Sequence, residues 1–84
     1  MSKRKKLLDR LETYPKDFTF DEHRTLMGLL GFEMSNKGRT SGSGVVFFKD
    51  GIIINLHKPH PGNTLKLYQV RQVFEVLRDN GFYD

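Results

Sequence analysis

The chain has no cysteine. That absence excludes a disulfide framework and any thiolate metal site, and with them the secreted miniproteins that depend on such staples. Long apolar runs are missing too. Leu7-Leu8 is followed at once by Asp9-Arg10, so Lys3-Arg4-Lys5-Lys6 does not open a signal peptide, and no stretch is long enough to span a bilayer. The expectation is an intracellular, cytoplasmic protein with no membrane segment. No internal repeat, low-complexity tract or linker interrupts the 84 residues, so residues 1–84 are expected to form one domain. At this size folding buries about 60–65% of the unfolded surface, which leaves a thin core.

The charge is present but unevenly placed. The formal net charge is +4, with residues 1–6 carrying +4, residues 7–32 carrying −2, residues 33–71 carrying +4 and residues 72–84 carrying −2. The positive charge is therefore gathered at the N-terminal tip and in the central stretch. Such a pattern suits an anionic partner, phosphate backbone above all, because neutralising it releases counterions. For the N-terminal lysines a solvated charge run is the competing reading.

In chain order, Ser2 can cap a first helix whose Leu7, Leu8, Leu11 and Tyr14 fall on one stripe before Pro15 ends it. A second helix starts at Thr19, where Thr19 and Glu22 have capping-box spacing, and its buried side is expected to be Leu26, Met27, Leu29 and Leu30. Gly31 supplies the left-handed stop. His23, beside Asp21 and Glu22, reads as a surface residue with no assigned chemistry. From Phe32 the period changes: Phe32-Glu33-Met34, Val45-Val46-Phe47-Phe48 and Ile52-Ile53-Ile54-Asn55-Leu56 read as strands. A last helix follows, with Val70, Val73, Phe74 and Leu77 at i, i+3, i+4 and i+7, closed by Asn80-Gly81 with Phe82 packing back.

Asp50-Gly51 between two strand-like runs is a type I′ hairpin signal and fixes a register. Lys49 should pair with Ile52, Phe48 with Ile53, Phe47 with Ile54, Val46 with Asn55, Val45 with Leu56 and Gly44 with His57. Partners share a face. Val45, Phe47, Ile54 and Leu56 then form the core side. Gly44, Val46, Phe48, Ile53, Asn55 and His57 form a mixed face that either meets a partner or is covered by a helix.

Asn36 to Gly44 is a basic, glycine-rich loop whose backbone N–H groups, hydroxyls and Lys37 and Arg39 could hold phosphate. It lacks the Gly-Lys-Ser/Thr end of a nucleotide-hydrolysing loop and leads into a strand, so nucleotide hydrolysis does not follow; a flexible hairpin loop is the bland alternative. His57 and His60 lie close in sequence, but Pro59 and Pro61 hold that segment extended and no carboxylate stands at ligand spacing. No metal site and no cofactor are expected.

The run Gly42-Ser43 then Val45-Val46-Phe47, the basic strand exit ending Pro59-His60-Pro61-Gly62, then Leu65-Lys66 and the closing helix Tyr68-Gln69-Val70-Arg71-Gln72-Val73 ending at Gly81, resembles the HicA toxins. These are small RNA-cleaving proteins of bacterial toxin–antitoxin pairs. The resemblance covers about residues 19–82 and leaves residues 1–17 as an extra N-terminal helix. It implies an α+β fold like a double-stranded-RNA-binding domain, α-β-β-β-α with a three-stranded antiparallel sheet. It also implies mRNA as target and a HicB-like antitoxin as partner.

One position departs from the family. There the Gly-Ser pair is typically followed by the histidine regarded as catalytic, and here that position is Gly44. Metal-independent RNA cleavage needs a base for the 2′-OH proton, an acid for the leaving 5′ oxygen and cations for the phosphorane; histidine serves well because it ordinarily titrates near neutrality. His57, opposite Gly44, and His60, within the matching segment, are the candidate catalytic residues. Lys37, Arg39, Ser43, Lys58 and Lys66 are the candidate RNA contacts. Two readings stand: an endoribonuclease using one of these histidines, or a degenerate member that binds RNA or its antitoxin without cutting.

Overall fold

The computed structural model describes residues 2–35, 44–59 and 62–83. The elements run α1 (Lys3–Glu12), α2 (Phe20–Leu29), β1 (Glu33–Ser35), β2 (Gly44–Lys49), β3 (Ile52–His57) and α3 (Leu67–Asp79). The strands form one antiparallel sheet in the order β1-β2-β3. This is the α-β-β-β-α arrangement of a double-stranded-RNA-binding domain with α1 added in front.

The hairpin register agrees with the sequence reading at every pair, from Lys49 with Ile52 to Gly44 with His57. Asp50 (φ 48°) and Gly51 (φ 86°) both take positive φ, as a type I′ turn requires. Val45, Phe47, Ile54 and Leu56 face inward and are buried, and meet Phe18, Phe20, Leu26 and Met27 from α2 and its approach, with Val70, Val73 and Leu77 from α3.

α2 and α3 end alike. Gly31 (φ 92°) and Gly81 (φ 86°) each follow the C-cap residue. The amides of Phe32 and Phe82 reach back to the carbonyls of Met27 (2.8 Å) and Leu77 (3.0 Å), while those of Gly31 and Gly81 reach Gly28 and Arg78. Both ends are therefore Schellman motifs. The two phenylalanines that follow pack on each other, ring centroids 5.8 Å apart.

α1 is capped by Ser2, whose hydroxyl accepts from the Lys5 amide at 3.2 Å, and buries Leu7, Leu8 and Leu11. It packs against α2 and α3. Arg10 donates to Glu22 and, at 2.7 Å, to Asp17, and its guanidinium lies 5.2 Å from the Phe18 ring centroid. Tyr83 donates its phenol proton to the Leu8 carbonyl at 2.6 Å, which pins the C-terminal segment to α1. Burial, with Glu12 and Asp9 nearby, pushes the Tyr83 phenol up.

Three sequence expectations are corrected. Tyr14 lies beyond the end of α1 at φ 54° and packs edge-on against Phe74 instead of extending the helix stripe. Leu29 is 44% exposed, because the inward stripe of α2 runs through Phe20, His23, Leu26, Met27 and Leu30. His23 is therefore a core residue. It is 0% exposed, its ring stands edge-on to Phe47 at 4.7 Å, and neither ring nitrogen has a hydrogen-bond partner. Burial lowers its pKa from 6.5 to about 4, so it is neutral at pH 7.

Candidate nucleic-acid interface

The outer face of the sheet is set by strand alternation. Gly44, Val46 and Phe48 on β2 stand beside His57, Asn55 and Ile53 on β3. Phe48 is 38% and Ile53 60% exposed. α1 does not cover them, since it packs on the helices. Among the described residues the face is thus exposed, apolar at Phe48 and Ile53 beside the turn with Glu33 of β1 next to Phe48, and polar at the end where Gly44 faces His57.

His57 is the last residue of β3 and is exposed. Lys58 does not join it on the outer face. Its ammonium lies 5.7 Å from the Phe20 ring centroid, and Phe20 packs beneath the sheet against Phe47. Lys66 is exposed and caps α3. His57 and Lys66 are joined through Gln69: its Oε1 accepts from the Lys66 amide at 2.9 Å, and its Nε2 donates to the His57 carbonyl at 3.0 Å. Lys37, Arg39, Ser43 and His60 lie outside the described residues.

The segment leading into α3 is laced to the start of α2. Phe20 donates its amide to the Asn63 carbonyl at 2.7 Å, Leu65 donates to the Phe18 carbonyl at 2.8 Å, and Thr19 bridges Thr64. Asn63 also donates to Asp21 at 3.2 Å. This lacing anchors the chain on the far side of the strand exit, so that His57 leads into a segment fixed at its other end.

Gln69 is a site residue that sequence reasoning overlooked. Its signal was present: Lys66 and Gln69 have the spacing of a capping box, with lysine where serine or threonine usually stands. Among the described residues no group of three or more His, Cys, Asp or Glu side chains converges as a metal site would. Among the described residues a groove of about 530 Å³ lies away from the sheet, between α1, α3 and the C-terminal segment. It is lined by Arg4, Lys5 and Arg78 beside Asp9 and Glu12, with Lys5 paired to Asp9 at 3.4 Å and Arg78 to Asp79 at 3.2 Å, so its charge is mixed.

An α-β-β-β-α domain with an open sheet face and a polar end at Gly44 and His57 belongs to the class of small α+β domains with double-stranded-RNA-binding architecture. Residues 20–82 match the family described as HicA toxin of bacterial toxin-antitoxin, and the chain belongs to that family. The match begins at Phe20 and does not include α1. No curated protein and no solved structure matches the chain. No helix among the described residues is long and apolar enough to cross a membrane.

Proposed function

We propose that this protein is the RNA-cleaving component of a toxin–antitoxin pair, that it acts on mRNA without a metal, and that His57 and His60 are its catalytic histidines. The observation that carries this reading is the pairing of His57 with Gly44 on the open sheet face. The family's histidine position is vacant at Gly44, and the imidazole across the ladder leaves the sheet on the same face. In the proposed reaction the 2′ oxygen attacks the adjacent phosphorus, a base takes its proton, the bond from phosphorus to the 5′ oxygen breaks, and an acid protonates the leaving oxygen. His57 supplies one of these transfers and His60 the other, with Lys66, Lys37 and Arg39 balancing phosphate charge and Ser43 donating to it. Lys58 contributes positive charge from the α2 side. The apolar part of the same face, Phe48 and Ile53, suits a HicB-like antitoxin, which would cover the RNA surface as it binds.

A second reading is favoured by Gly44 itself. Glycine has no group for proton transfer, and a member that lost its histidine could still bind RNA or the antitoxin. Incubating the purified protein with end-labelled single-stranded mRNA fragments in EDTA separates the two. The cleaving reading expects fragments ending in 2′,3′-cyclic phosphate, and an affinity that falls steeply with salt. A mobility shift without fragments selects the binding module. Neither shift nor fragments overturns cleavage and RNA binding alike, and leaves only the antitoxin as a partner.

A further inference from the structure

The two long core helices begin with the same device built from different residues. In α2 the third position is Glu22, whose carboxylate accepts from the Thr19 amide at 2.9 Å. In α3 the third position is Gln69, whose Oε1 accepts from the Lys66 amide at the same 2.9 Å. For capping alone glutamate serves better, since a negative group at a helix N-terminus also gains from the macrodipole. Glutamine differs in having a donor, and at Gln69 that donor is used on the His57 carbonyl. The side chain is 4% exposed, so both bonds are made away from water, where an unmet polar group is costly.

We infer that Gln69 is a positioning residue of the RNA-handling site, which fixes the main chain of His57 against that of Lys66 and so sets where the imidazole and the ammonium present themselves. The inference rests on the reading of His57 as the RNA-facing histidine. The amide closes the base of the segment that leaves β3 at His57 and enters α3 at Lys66. Only a group that accepts and donates at once can do so. The His57 side chain stands on the outer face of the sheet by strand alternation, and a displacement of the main chain held at its carbonyl carries the ring with it.

The test is Gln69→Glu, which keeps size and the acceptor for Lys66 but replaces the donor with an oxygen facing the His57 carbonyl. Three quantities are read: the folded fraction by circular dichroism, the amide proton–nitrogen spectrum, and single-turnover cleavage and binding of an mRNA fragment. The expected result is a folded protein in which the His57 and Lys58 amide signals move more than those of β1 or α1. Its cleavage rate should fall about 10–100-fold, as small misplacements of a reacting group do, with affinity changed less than about twofold. Should Gln69→Glu not fold, Gln69→Leu fills the space without a charge and is read in the same way. Unchanged His57 and Lys58 signals, or a loss of rate no larger than the loss of folded fraction, would overturn the inference. If wild-type protein neither binds nor cleaves RNA, the functional reading fails, while the spectrum still decides whether Gln69 positions His57.

Discussion

Gly44 and His57 are Cα partners at the end of the β2–β3 ladder farthest from the Asp50-Gly51 turn. A side chain at either position leaves the sheet on its open face, so the two positions are interchangeable in direction, though not in backbone. On the proposed function, His57 does the work of the family's histidine from one ladder step away, on the strand whose exit is held by Gln69.

His23 makes stability depend on pH in a defined window. Its folded pKa is lowered to about 4, below the ordinary 6.5, so the unfolded chain takes up a proton first as pH falls. The stability is present in full above about pH 6.5 and is lost as pH falls toward 4. A shift of this size corresponds to about 3 kcal/mol. Urea denaturation of wild type and His23→Met between pH 7.5 and 4 (roughly the window of the linkage relation) checks it. The variant should lose most of this dependence and be no less stable at pH 7, since it removes two buried nitrogens without partners.

Gly81→Ala should cost about 1 kcal/mol through its backbone alone, because φ is positive and nothing lies within 4 Å of an added methyl. Gly31→Ala should cost a similar amount. The methyl there meets the Lys49 Nζ at 3.3 Å, the far end of a long side chain that pairs with the exposed Asp50 at 3.4 Å and can move aside with it. Thermal melts of the two variants should agree within about 0.5 kcal/mol, an ordinary margin between comparable sites. A much larger loss at Gly31 would mean that Lys49 cannot yield.

α1 is held chiefly by its apolar stripe. Leu11→Ala, at a residue with no exposure, should cost about 2–5 kcal/mol. Arg10→Ala should cost about 1–2 kcal/mol, because its partly exposed ion pairs are screened by water and its contact with Phe18 adds a modest amount. Denaturant midpoints give the order directly. Arg10→Ala costing more than Leu11→Ala would assign the helix to its charges.

Most of the scaffold was legible because local chemistry and tertiary packing agree there. Asp50-Gly51 fixed the register, Thr19 and Glu22 fixed the start of α2, and Gly31 and Gly81 fixed two helix ends. Two of the three corrected expectations, His23 and Leu29, share one cause. His23 was judged by its acidic neighbours in sequence, yet its place three residues before Leu26 and four before Met27 puts it on the inward stripe of α2. Leu29 is apolar yet lies off the edge of that stripe and is exposed. At the candidate site, the pairing of His57 with Gly44 followed from the turn. The redirection of Lys58 toward Phe20 and the bridge through Gln69 depend on how the strand exit meets two helices, which no local spacing encodes.

The most direct measurement is growth and mRNA level in a bacterial host after induction of wild type, His57→Ala and Gly44→His. Wild type is expected to arrest growth and deplete mRNA, His57→Ala to relieve both, and Gly44→His to restore toxicity to the His57→Ala background. Normal growth with intact mRNA on induction of wild type, or arrest undiminished by His57→Ala, would contradict the proposed function.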